Sequence, residues 1–149
     1  MNGRPDNSRE YPSRPLFGVG ALIIEGDSIV LVTRGRNPSK GEWSIPGGLV
    51  KIGETISKAV MREVLEETGL QVEQQALVEL LERIFPDDRG KVRYHYIIAD
   101  YLCRVVGGEL KAGSDAQKAV WVAQRDLHRY SLAPITLEVI LKGFAQSRK

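Results

Sequence analysis

The first apolar residues come in short runs with little alternation. Phe17 to Ile24 is mostly apolar, Glu25-Gly26-Asp27 has turn chemistry, and Ser28 to Thr33 is a second, β-branched run. Two such runs around a short polar break predict a hairpin. Neither run alternates cleanly, so both strands are expected to be buried on two faces. A polar loop follows from Arg34 to Glu42, then a short strand, Trp43-Ser44-Ile45-Pro46-Gly47-Gly48, that ends in a sharp turn. Thr55 or Ser57 is placed to cap a helix that runs to about Glu67, and Gly69 stands where a terminating glycine belongs. Leu77 to Phe85 reads as a strand and Pro86-Asp87-Asp88-Arg89-Gly90 as a turn. Val92 to Val106 reads as a long strand broken by Gly107-Gly108, Ala119 to Val122 as a last short strand, and Ile135 to Ala145 as a final helix. Mixed strands with two helices predict a layered α/β fold.

The helix from Thr55 carries the most information. At about 100° per residue, Val60, Met61, Val64 and Leu65 share one arc, the expected buried face. Glu63, Glu66 and Glu67 share the adjoining arc, with Glu63 and Glu67 one turn apart. A solvated acidic face is the ordinary meaning of such a cluster. Here, however, like charges four apart repel, acids near a helix C-terminus oppose the macrodipole, and the arc borders the core. Hard divalent cations such as Mg²⁺ take oxygen ligands and would repay these costs. Gly47-Gly48 just upstream can turn tightly, present a carbonyl to a metal and let a phosphate approach.

Composition narrows the class. The chain has 149 residues, 42% hydrophobic and 27% charged, which suits one globular domain. Lys plus Arg is 21 and Asp plus Glu is 19, so a strongly basic nucleic-acid binder is not expected. Cys103 is the only cysteine, set in an apolar run, and reads as a small buried hydrophobe. With His95 and His128 the only histidines, no zinc cluster is available. Residues 1–15 are polar and read as a flexible leader, leaving 16–149 as the domain. No apolar run approaches a membrane span and no signal peptide is visible, so a cytoplasmic protein is expected.

Gly48, five residues, Glu54, seven residues, then Arg62-Glu63-Val64-Leu65-Glu66-Glu67-Thr68-Gly69-Leu70 resembles the complete Nudix box, with no gap and every fixed position matched. The looser likeness runs from about Leu16 to Trp121. The resemblance implies a Nudix fold: an α/β/α sandwich with a mixed sheet and a loop–helix–loop catalytic motif. It also implies Mg²⁺- or Mn²⁺-dependent hydrolysis of a nucleoside diphosphate linked to another moiety. By position, Glu63 and Glu67 are the expected metal ligands, joined by Glu66 and the Gly48 carbonyl. Arg62 resembles the arginine that holds the catalytic carboxylates, and Glu54 the acid that buttresses the loop or reaches a metal through water.

In relatives an additional base or ligand often lies on a later loop. Asp115 is the first candidate here and Glu109 the second, with a turn residue an equal reading of Asp115. Pro86, sixteen residues past Leu70, resembles the pattern of ADP-ribose pyrophosphatases, although a proline opening a turn is common. Arg89 and Arg93 are then placed to meet a phosphate or a ribose hydroxyl. The expected reaction is ADP-ribose to AMP and ribose 5-phosphate. A nucleoside triphosphate pyrophosphatase of the house-cleaning type and a non-catalytic nucleotide-sensing module stand as alternatives. The expected partner is a nucleotide, with nucleic acid disfavoured and a homodimer left open.

Overall fold

A computed structural model describes residues 9–113 and 116–149. The elements in chain order are β1 (Leu16–Glu25), β2 (Ser28–Arg34), β3 (Trp43–Ser44), β4 (Gly47–Leu49), α1 (Ile56–Thr68), β5 (Leu70–Pro86), β6 (Val92–Gly108), β7 (Ala116–Ala123), a 3₁₀ segment (Gln124–Arg129) and α2 (Pro134–Ser147). The sheet order is β3-β2-β1-β6-β5, with β4 beside β1 and β7 beside β2. The β1–β6 pairing is parallel and the others are antiparallel, so the sheet is mixed.

Side chains of β1 alternate between two cores. Val19, Ala21 and Ile23 join Ala59, Val60 and Val64 of α1 on one face. Leu22 joins Val139, Ile140 and Phe144 of α2 on the other. Apolar residues at consecutive positions therefore report a strand covered on both sides, as expected from its lack of polar alternation. The predicted hairpin forms, but β1 and β2 pair only at Ile24↔Ile29 and Glu25↔Ser28. Beyond that point they splay, and β4 takes the edge of β1 at Gly18 to Gly20. Trp43 to Gly48 is thus two short strands with different partners, because β3 pairs with β2.

The long strand pair differs from the sequence reading. β5 begins at Leu70 rather than Leu77, since interruptions of register at Gln71/Val72, Gln74/Ala76 and Leu77/Glu79 disguise its alternation. The described end of the leader is tied down rather than free. The Tyr11 amide donates to the Arg93 carbonyl at 2.7 Å, the Tyr11 hydroxyl donates to Asp87 Oδ2 at 2.9 Å, and Glu10 pairs with Arg93 at 2.8 Å. Cys103 is buried, and burial pushes its thiol up to about 12, as suits an inert core residue. Among the described residues no helix is long and apolar enough to cross a membrane.

Candidate active site

The acidic helix α1 starts at Thr55, whose side chain accepts the Lys58 amide at 3.1 Å. It stops at Gly69, whose φ of 75° is left-handed and returns an amide bond to the Leu65 carbonyl. Its buried stripe is Ala59, Val60, Val64, Glu67 and Thr68. The wide apolar arc expected from the sequence is therefore corrected. Met61 is 42% exposed and Leu65 51% exposed, because the helix docks through a narrower stripe turned toward Glu67.

Arg62 organises the acids. Its Nε donates to Glu54 Oε2 at 2.7 Å and its Nη2 to Glu54 Oε1 at 2.9 Å, a bidentate pair. Nη1 donates to Glu63 Oε1 at 2.6 Å and to Glu66 Oε1 at 2.9 Å, and Nη2 also reaches the Leu49 carbonyl at 3.0 Å. One guanidinium thus offsets the repulsion between Glu63 and Glu66. Glu54 also accepts the Lys51 amide, and these bonds hold its carboxyl at about 2, so it stays ionised. Burial pushes the Glu63 carboxyl upward, with Arg62 opposing and the Glu66 charge adding to the rise.

The glycine pair brings the loop onto these acids. The Gly47 amide donates to Glu67 Oε1 at 3.2 Å. A Cβ at Gly48 would push the Glu63 carboxylate from its present place, so glycine lets the loop and this acid lie in contact. Two carboxylates from successive turns therefore face a tight backbone loop, with Glu66 alongside.

From this loop a cleft opens where β1 and β2 splay. Its walls include Arg34, Trp43, Arg83, Phe85, Tyr96, Ile98 and Asp100, with Glu67 at the loop. Register explains the floor: Phe85↔Tyr94, Arg83↔Tyr96, Leu81↔Ile98 and Glu79↔Asp100 are cross-strand pairs of β5 and β6. Phe85 and Tyr94 meet edge to face at 6.2 Å between centroids, and Arg83 lies 5.0 Å over Phe85. The Arg34 guanidinium is less basic than usual because it is buried; Arg9 and Arg83 nearby push the same way, while Tyr96 and Glu67 oppose.

Comparison with known proteins decides the family. The NUDIX domain model matches residues 14–142. The chain belongs to the NUDIX family. It is 37% identical over 130 residues to an ADP-ribose pyrophosphatase of Methanocaldococcus jannaschii, covering 87% of this chain and 73% of that protein. It is 32% identical over 135 residues to the nucleoside triphosphatase NudI of Escherichia coli K12, covering 81% and 92% respectively. Several longer relatives match over less than half of their length. The crystal structure of a MutT NUDIX hydrolase from Burkholderia pseudomallei superposes with a TM-score of 0.76 at 30% identity, covering 87% of this chain and 98% of that one. The Nudix fold, an α/β architecture with the box as loop–helix–loop, is the one described above, and the protein is a Nudix hydrolase of the pyrophosphatase kind.

Nudix hydrolases generally use a divalent metal, and the donor set here suits one. Glu63, Glu66 and Glu67 supply hard oxygens beside the Gly48 backbone. Among the described residues no three acidic, histidine or cysteine side chains converge as a complete cage, and Arg62 already engages Glu63 and Glu66. That is compatible with Mg²⁺, which is commonly held by one or two carboxylates with water and substrate phosphate filling the remaining positions.

The structure brings Gly48, Glu54, Arg62, Glu63, Glu66 and Glu67 together. Asp115 lies outside the described residues. Pro86 and Arg93 line a second, more open cavity with Asn37, Pro38, Phe85 and Tyr94, and Arg93 is engaged by Glu10. Arg89 lies in the exposed turn and lines neither cavity. Residues missed by sequence reasoning are Arg34, Arg83, Tyr96 and Asp100. Asp100 had one available signal, an acid inside Ile97-Ile98-Ala99-Asp100-Tyr101-Leu102. Arg83 and Tyr96 had none, since only the register brings residues thirteen apart side by side.

Proposed function

We propose that this Nudix enzyme hydrolyses the diphosphate of ADP-ribose to AMP and ribose 5-phosphate, with Mg²⁺ or Mn²⁺ as cofactor and the cytoplasm as its place of work. The observation that carries the reading is the junction of the Arg62-held glutamates with the cleft walled by Arg34, Arg83 and Tyr96. It sets a hard-oxygen donor set beside cationic and aromatic surface, the chemistry a nucleoside diphosphate presents. The similarity to an ADP-ribose pyrophosphatase supports the choice of substrate.

Glu63, Glu66, Glu67 and the Gly48 carbonyl would hold the cation. When bound it neutralises diphosphate charge and lowers the pKa of water. Arg62 fixes the orientation of Glu63 and Glu66, and its bond to Leu49 ties that orientation to the loop. Glu54, kept ionised by Arg62, acts as a buttress and is a poor proton acceptor. A carboxylate of the α1 group, or Asp115, takes the proton of the attacking water. The water oxygen bonds to phosphorus, and the bridging P–O bond breaks with its electron pair leaving on the departing phosphate. Positioning and electrostatic stabilisation supply most of the rate. Arg34 and Arg83 hold phosphate oxygens, and Phe85 offers an aromatic surface to the nucleoside.

A second reading, a nucleoside triphosphate pyrophosphatase, is favoured by the match to the nucleoside triphosphatase NudI over most of both chains. Under one Mg²⁺ concentration, kcat/KM should be compared for ADP-ribose and a set of ordinary and oxidised nucleoside triphosphates, with products resolved by chromatography. A clear preference for any triphosphate rejects ADP-ribose. No turnover of any nucleotide would favour a nucleotide-sensing module instead.

A further inference from the structure

The segment ahead of β1 is built into the cleft rather than merely laid on the surface. Tyr11 adopts a φ of 50°, a left-handed conformation that a bulky residue enters only under constraint. The constraint is visible. Its amide and hydroxyl bond to Arg93 and Asp87, Lys91 sits 4.9 Å over its ring, and neighbouring Glu10 pairs with Arg93. Two residues earlier, Arg9 lines the same cleft as Arg34, Arg83 and Tyr96.

Two buried polar atoms in this wall have no hydrogen-bond partner among the described residues: Arg9 Nε and the Tyr96 hydroxyl. Tyr96 is only 7% exposed. Buried donors without acceptors are costly, as is a guanidinium beside others of like charge. The acids on the cleft wall, Glu42, Glu67 and Asp100, leave Arg9 Nε and the Tyr96 hydroxyl unpaired. An anionic ligand with oxygen acceptors would answer both costs at once.

We propose that residues 9–11 form a substrate-binding strap, in which the Tyr11 anchor holds Arg9 in the cleft wall so that its guanidinium, with the Tyr96 hydroxyl, donates to an oxygen of the substrate's diphosphate. This rests on the reading of the substrate as a nucleoside diphosphate derivative. The strap makes the segment before the Nudix fold part of substrate recognition, acting on binding more than on the chemical step.

The test uses the full chain with Arg9→Ala, Arg9→Lys and Tyr11→Gly, the last removing the anchor while suiting the backbone. Two readouts are taken: KM and kcat for the nucleotide cleaved, and the change in Tm on adding inorganic pyrophosphate in the presence of EDTA. Arg9→Ala should raise KM about ten-fold or more, with a smaller fall in kcat, as expected for losing a charged hydrogen bond. Tyr11→Gly and Arg9→Lys should move KM less in the same direction, and the pyrophosphate-induced Tm shift should shrink in all three. A purely structural role would lower Tm without ligand and leave KM and the pyrophosphate shift alone, overturning the strap. If Arg9→Ala does not fold, the other two variants carry the same test. Pyrophosphate binding that depends on Arg9, with no nucleotide cleaved by the wild type, would support the strap and reject the functional reading. Efficient cleavage with wild-type KM and pyrophosphate shift in the variants would reject the strap alone.

Discussion

Asp100 is 4% exposed, and its carboxylate makes no hydrogen bond to a described residue. Burial pushes its carboxyl from an ordinary 3.8 to about 7, the charge of cross-strand Glu79 adds to the rise, and Arg83 opposes it. Replacing it with asparagine keeps the shape and removes the charge. The sign follows from proton linkage: a carboxyl whose folded pKa lies above its unfolded value binds its proton more tightly when folded. Well below pH 3.8 both states are protonated and ionisation adds no cost. As pH rises toward 7 the unfolded state ionises first, and stability falls by about 1.4 kcal/mol per pH unit. A gap of about three pH units comes to roughly 4 kcal/mol, fully felt above pH 7. Urea unfolding of wild type and Asp100→Asn at pH 5 and pH 8 isolates this term from any packing difference, which is common to both conditions. The stability gained by the variant should be larger at pH 8 by roughly 3 kcal/mol. An advantage that is the same at both pH values to within about 1 kcal/mol would refute the assignment of a buried, charge-averse acid.

Glu63→Gln and Glu67→Gln should each lower kcat by about 10²-fold or more while leaving the fold intact, the scale of losing one electrostatic contact at a reacting centre; steady-state kinetics at saturating Mg²⁺ with circular dichroism checks this. Glu63→Gln should keep or raise Tm without metal, because burial disfavours its charge. Mg²⁺ should raise Tm of the wild type by mass action and raise it less in Glu67→Gln; equal shifts would place the cation elsewhere. Arg62→Lys should behave as a severe change, since an ammonium cannot bond Glu54 in bidentate fashion and also reach Glu63, Glu66 and Leu49. A variant with wild-type kcat and Mg²⁺ response would show that the hub is dispensable.

Legibility in the sequence followed the range of the interactions. Local devices were plain: the Thr55 cap, the Gly69 stop and the runs of β1 and β2 need only neighbours along the chain. The box placed Glu54, Arg62 and the three glutamates at one centre for the same reason, all lying within two turns of helix and its lead-in loop. Met61 and Leu65 misled because helical periodicity gives a direction but not the width of the docking stripe. The cleft was hidden because it is made by pairing. Arg83 meets Tyr96 through the β5–β6 register, and Arg34 arrives from across the splay. The end of the leader was hidden too, since its polar composition conceals a tyrosine held by a turn 76 residues away.

The parallel pairing of β1 with β6 joins Leu16 to Tyr96 and Ile23 to Cys103. This has a consequence for the birth of the protein. A nascent chain that has completed the catalytic helix still lacks the strand that covers one edge of β1. That edge is apolar and waits, unpaired, while the chain grows from Thr68 to Cys103, about 35 further residues. Exposed strand edges of this kind invite association with other chains, and long-range closure slows folding. Fragments ending before β6 should therefore aggregate, and the ribosome-bound chain is at its most vulnerable in the interval between making its chemistry and making the strand that shelters it.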